Sequence, residues 1–270
     1  MNIASLGVEM GNPGSMEARR LLKAVLFDLD NTLIRFDERE FFEAYIPRIS
    51  KVFSDMMSPE MLLERLLLST LMLVNNNGQM SNAEYFMSFF SQGYEEYREE
   101  IWKRFIKFHE TEFDEFQPLV SVIPGVHEVF MRLREKGVKL VIASNPIWPQ
   151  IVQIKLLSWA GLGDWNFELV THIENMSYCK PHIEYYLEVC KKINEKPEGC
   201  LMVGDDPVND LIVGKTGMKT FLVTNGPEFD GSEHELSKSI RDDTASELIA
   251  PDFQGLLSDV PGAVEALLKG

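Results

Sequence analysis

The chain is poor in cysteine and in positive charge, and it has no long uninterrupted apolar run. Three cysteines occur in 270 residues, Cys179, Cys190 and Cys200, with no CxxC pair among them. An odd count without paired spacing argues against a disulfide framework and for a reducing, cytoplasmic setting. The histidines at 109, 127, 172, 182 and 234 show no metal-ligand spacing. Lysine and arginine total 26 against 42 aspartates and glutamates, a formal net charge of -16. So acidic a surface repels phosphate backbones and anionic lipid, which argues against nucleic acid and membrane as partners. Residues 61–74 are very apolar, but Glu64 and Arg65 interrupt them and they are too short to span a bilayer. The opening residues lack the apolar core of a secretory signal. With Gly11, Pro13 and Gly14, residues 1–22 read as a flexible tail. No GxGxxG follows the first strand, which excludes the dinucleotide-binding fingerprint. There is no internal repeat and no low-complexity tract.

What remains is the composition of a globular protein, 45% hydrophobic and 25% charged. Its organising stretch is residues 23–33, KAVLFDLDNTL. The run Ala24, Val25, Leu26, Phe27 is continuous rather than alternating, so it predicts a strand covered on both faces, as in a parallel sheet. After it, residues 37–117 are helical by pattern. Helices are expected over 38–56, 58–74, from 81 onward behind a Ser81–Glu84 capping box, and over 94–110. The second is apolar almost all round and is expected to be buried between neighbours. The fourth places Tyr97, Ile101, Trp102, Phe105 and Phe108 along one face. Four such helices predict a small bundle.

From Pro124 helices and strands alternate. Helices are expected over 125–136, 149–159, 182–193 and 208–215. Strands are expected over 138–143, 167–171, 200–203 and 220–223. A last edge strand at 248–250 and a final helix to about 268 complete the pattern, and 226–244 reads as an acidic surface loop. This alternation implies an α/β, Rossmann-like parallel sheet with helices on both faces. The expected organisation is a core of residues 23–36 and 118–270, interrupted by a helical cap of residues 37–117.

Polar groups fall at or just past the carboxyl ends of several strands: Asp28 and Asp30; Ser144 and Asn145; Lys180; Asp205, Asp206 and Asp210. A parallel sheet brings all such ends to one edge, where open α/β sheets bind ligands. The set suits phosphoryl transfer. A carboxylate is a competent nucleophile toward phosphorus, and a cation must shield it from the phosphate dianion. Mg2+ favours carboxylate and water oxygens, which Asp28 and Asp205 supply. Lys180 adds a point charge, Ser144 can hold equatorial oxygens, and Asp30 can exchange protons with leaving group and water.

FDLDNTL, IASN, CKP and VGDDPVND resemble, in order, the four motifs of the haloacid dehalogenase superfamily. The likeness covers about residues 23–34 and 120–223. The insert is similar in position and length to the cap many members carry after the first motif. The resemblance implies Asp28 as nucleophile and Mg2+ ligand, and Asp30 as acid/base with its main-chain carbonyl on the metal. It implies Thr32 shaping the first loop beside the phosphate, Ser144 and Asn145 binding phosphate, and Lys180 steadying charge on nucleophile and phosphate. Asp205 is the further metal ligand; Asp206 and Asp210 are outer-shell acids. The expected activity is a magnesium-dependent phosphatase on a small phosphorylated metabolite, because a lid excludes bulky substrates.

Competing readings differ in what they require. A dehalogenase attacks carbon and uses neither the metal nor a leaving-group acid. A phosphomutase shares all four motifs and stays open. A non-enzymatic binding module on this fold would lack the nucleophile or the acid, and both are present.

Overall fold

The computed structural model describes residues 22–224 and 249–269. Of the tail expected over residues 1–22, residues 1–21 lie outside the described residues, as does the acidic loop at 226–244; Leu22 is buried in the core instead of belonging to a tail. Strand β1, Ala24–Phe27, is wholly buried. It pairs in parallel with β4 (Lys139–Ile142) on one side and β6 (Cys200–Gly204) on the other. Beyond these lie β5 (Leu169–Val170), β7 (Lys219–Val223) and β8 (Phe253–Gly255), giving the order β5-β4-β1-β6-β7-β8, every pair parallel.

Alternation along the central strands sorts the core into two layers. Val25, Phe27, Leu201 and Val203 join one apolar cluster; Ala24, Leu26, Cys200 and Met202 join the other. The first layer takes α5 (Val126–Arg134), α6 (Gln150–Trp159) and the last described helix, Val260–Lys269; the second takes α7 (Ile183–Lys192). A sheet covered on both faces needs apolar side chains at consecutive positions, which is why β1 reads as an unbroken run.

Between β1 and β4 the chain forms an antiparallel ribbon of β2 (Ile34–Phe36) and β3 (Val120–Val122). Among the described residues, four α-helices hang between these strands: α1 (Glu38–Val52), α2 (Pro59–Met72), α3 (Asn82–Phe90) and α4 (Arg98–Thr111). Their starts follow the local chemistry. Asp37 and Ser58 accept hydrogen bonds from the first turns of α1 and α2, and Ser81 with Glu84 forms the full capping box of α3. Pro47 lies inside α1.

Several elements depart from expectation. Helix α2 is not buried all round: Leu67 and Leu68 are 42% and 47% exposed, and Leu62 and Ser69 are its buried residues. Part of its apolar surface instead lines a cavity of about 260 Å³, shared with Tyr45, Phe105, His109 and Trp148. Tyr97 is exposed and precedes α4 rather than packing along it. The strand expected at 167–171 shrinks to two residues. No α-helix forms at 208–215, where a turn leads into a 3-10 helix, Ile212–Thr216. The last edge strand is not at Ile249 and Ala250 but at Phe253–Gly255, where it adds to β7.

At the cavity wall, His109 Nδ1 lies 2.7 Å from the Phe105 carbonyl and Nε2 3.1 Å from the Tyr45 hydroxyl. A carbonyl only accepts, so Nδ1 carries the proton and Nε2 of the neutral ring accepts from Tyr45. Burial holds the ring pKa down, to about 4. Between pH 6.5 and 4 the unfolded chain therefore binds the extra proton, and stability falls as pH falls, by up to about 3 kcal/mol. His109→Gln should flatten this acid limb in urea denaturation followed from pH 7 to 4. An unchanged slope would place that titration elsewhere.

Candidate active site

The chain builds outward from β1 to β4 and β5, then returns to the other side with β6, β7 and β8. The direction reverses between β1 and β6, and the crevice of an open α/β sheet lies at such a reversal. Phe27 stands opposite Val203, and the Asp28 N–H donates to the Val203 carbonyl at 2.9 Å. Asp28 thus leaves β1 beside the point where Asp205 leaves β6.

Lys180 arrives from the loop ahead of α7 and is 3% exposed. Its Nζ donates to Asp28 Oδ1 at 2.6 Å and to Asp210 Oδ1 at 2.6 Å. Carboxylate oxygens of Asp28, Asp205 and Asp210 all lie within 4.8 Å of one another. Residues distant in sequence therefore meet at one edge, as their strand-end positions imply. Asp210 is drawn further in than an outer acid need be. Gly204 makes the room, since a β-carbon there would run into the Asp210 carboxylate.

Electrostatics follow from burial. Asp28 is pushed up to about 6, mainly by desolvation, with Lys180 pulling the other way. Asp210 rises to about 7 for the same reason against the same lysine. Asp205 is held well above the carboxylate range by burial, with Asp28 and Asp210 adding repulsion. Burial works against the Lys180 charge, but Asp210 and Asp28 outweigh it and its pKa stands well above the usual value. Clustered buried carboxylates carry a strong demand for further positive charge. Hard oxygen donors so grouped suit a small divalent cation such as Mg2+.

The remaining candidates surround this centre. The Thr32 hydroxyl donates to Asp205 Oδ1 at 3.1 Å, tying the first loop to the fourth motif. Asp30 forms a bridge to Ile34 at the root of the ribbon. Ser144 is buried at the end of β4. Asn145 Oδ1 accepts from the Lys180 N–H at 3.3 Å. Asp206 shapes its own loop: Oδ1 accepts from the N–H groups of Val208 and Asn209 at 2.8 and 3.0 Å, and its N–H donates to Asp210 Oδ2 at 3.1 Å.

Three residues absent from the sequence reading as site residues hold the loops from below. Tyr185 donates its hydroxyl to the Ser144 carbonyl at 2.8 Å, and Thr171 reaches the same oxygen at 2.7 Å. Tyr186 donates to the Asn209 carbonyl. The one available signal was a tyrosine pair at the start of an otherwise apolar helix face, since a buried phenol seeks a partner.

A parallel sheet with reversed strand order, carrying an aspartate–lysine–aspartate cluster at its carboxyl edge, defines an α/β enzyme of the hydrolase type. The chain belongs to the haloacid dehalogenase-like hydrolase family, whose profile matches residues 22–217. It is similar to hexitol phosphatase B of Escherichia coli (strain K12), 28% identical over 158 residues, 58% of this chain and 68% of that protein. It is also similar to pyrophosphatase PpaX of Bacillus cereus (strain Q1), 27% identical over 204 residues, 75% of this chain and 83% of the other. Among solved structures, a HAD phosphatase from Thermococcus onnurineus shares the fold with a TM-score of 0.55 at 19% identity, covering 90% of this chain and 98% of that one.

Proposed function

We propose that the protein is a magnesium-dependent phosphatase that hydrolyses a small phosphorylated metabolite through an aspartyl-phosphate at Asp28. The observation that carries this reading is the buried Lys180 Nζ, 2.6 Å from Asp28 Oδ1, with Asp205 beside it at the sheet's carboxyl edge. The phosphatase names of the similar proteins support it.

Asp28, Asp205 and the main-chain carbonyl of Asp30 would hold Mg2+. Bound there, the ion would polarise a phosphoryl oxygen and offset the crowded negative charge. An Asp28 carboxylate oxygen attacks phosphorus, and the bond from phosphorus to the leaving oxygen breaks. Asp30 gives that oxygen its proton. Asp30 then takes a proton from water as the water oxygen attacks the same phosphorus, releasing phosphate and restoring Asp28. Lys180 steadies the negative charge on Asp28 and the transferring group, and Ser144 and Asn145 orient the phosphoryl oxygens. Residues 37–117 act as the cap that closes over the substrate and excludes bulk water. The three cysteines are buried free thiols, which supports work in a reducing cytoplasm.

The test is a panel of phosphorylated metabolites scored for phosphate release. Release is expected with Mg2+, should stop in excess chelator and should return when Mg2+ is restored. Undiminished release in chelator would remove the metal from this reading. Movement of the phosphoryl group to a second hydroxyl of a sugar phosphate, without release, would mark a mutase instead.

A further inference from the structure

The segment joining α2 to α3 reaches out of the helical insert and grips the loop that carries Lys180. Asn82, the first residue of α3, is 0% exposed. Its Nδ2 is shared among the Tyr178 carbonyl at 3.2 Å, Cys179 Sγ at 3.4 Å and the Pro146 carbonyl at 3.5 Å. Its Oδ1 accepts from Asn76 Nδ2 at 2.8 Å, which fixes the amide the right way round. Cys179 precedes Lys180, and Pro146 follows Asn145. One side-chain amide thus bridges the two loops that carry the phosphate-binding candidates.

Neighbouring contacts tie the same insert segment to the stretch that carries Lys180. The Asn82 N–H donates to the Met176 carbonyl at 2.8 Å, and the Ala83 N–H to the Ile173 carbonyl at 2.8 Å. The Tyr178 hydroxyl donates to the Asn77 carbonyl at 3.2 Å, and His182 Nε2 to the Val74 carbonyl at 2.7 Å. The Lys180 segment is therefore clasped on both sides of the lysine. Gly78 permits the approach: a β-carbon there would overlap the Tyr178 ring.

We propose that Asn82 is a positioning residue for Lys180, its amide setting the spacing between the loop of Ser144 and Asn145 and the loop of Lys180. The lysine reaches Asp28 correctly only while the insert is seated on the core. This rests on the phosphatase reading, since it is that chemistry the spacing serves. A buried amide between carbonyls contributes through its donors, so removal of the donors is the informative change.

The experiment compares Asn82→Asp, which keeps the shape and loses the donors, with Asn82→Ala, which adds no charge. Both are assayed with an aryl phosphate and Mg2+, and thermal melts confirm that each is folded. The expected result is a kcat about 10 to 100-fold lower in both, with KM within about threefold of the parent, the pattern of a group that shapes the transition state rather than ground-state binding. An unchanged kcat in either folded variant, or a loss confined to KM, would overturn the proposal. Hydrogen exchange of the peptide spanning residues 176–182 gives a readout that needs no turnover. Exchange should accelerate in both variants relative to β6, and unaltered exchange would overturn the clasp. A parent enzyme that releases no phosphate from any substrate would count against the phosphatase reading, and the exchange result would still decide whether Asn82 orders the Lys180 loop.

Discussion

Asp28→Asn is expected to take phosphate release down to the uncatalysed background while the protein remains folded. The carboxamide cannot supply the anionic oxygen that attacks phosphorus, and Asp30, the other acid just past β1, serves proton exchange in this reading. The loss should appear wholly in kcat, at least about 10⁴-fold, because nothing remains to form the covalent intermediate. The fold should tolerate the change. Asp28 is a buried carboxyl whose desolvation outweighs its attraction to Lys180, and Asp210 still accepts from that lysine. The decisive measurement is rapid acid quenching with labelled substrate. The parent should retain label on protein, sensitive to hydroxylamine as an acyl phosphate is, and Asp28→Asn should retain none. Label of equal amount in the variant would place the nucleophile elsewhere.

Lys180→Met is expected to cost both activity and stability, and the stability loss should depend on pH. Removing one partner of a buried charge pair leaves the others uncompensated, typically at about 3–5 kcal/mol. Here the orphaned groups are Asp28 and Asp210, already raised to about 6 and about 7 with the lysine present. Without it they rise further. A carboxyl whose folded-state pKa is raised contributes stability below its unfolded value and loses it as pH rises through the folded value. The variant should therefore melt close to the parent near pH 4, where both carboxyls are protonated. It should fall progressively behind from pH 6 to 8, and Mg2+ should recover part of the difference. A deficit independent of pH would mean that Lys180 acts through packing alone.

The strands that carry the chemistry were legible because their burial is complete. AVLF in β1 and CLMV in β6 contain no polar residue to confuse the period; AVLF runs directly into Asp28, and CLMV reaches Asp205 through Gly204. The meeting of Asp28 and Asp205 followed from parallel strand ends; Lys180 lies in the loop between β5 and α7, and its place was implied by the resemblance of CKP as well. What escaped was governed by tertiary context. The three-residue strands of the ribbon carry too few residues for any period to emerge. Phe253–Gly255 has neither β-branched residues nor alternation, and becomes a strand because the free edge of β7 accepts it. Helix α2 looked like a fully buried helix, yet sequence holds no record of which neighbours exist to cover it. Asn82 was hidden by its own local sense: it stands directly after a capping serine, where asparagine needs no further explanation.

The β2–β3 ribbon has a consequence for how such a chain diversifies. Ile34 faces Val122 across it, so the insert leaves the core and returns about 5 Å from where it left. To the sheet, everything threaded between is a single loop with a fixed mouth. Four helices, two, or a short hairpin would meet the same doorway and leave the strand order undisturbed. Recombination can therefore trade one insert for another while the acids at the ends of β1 and β6 keep their places.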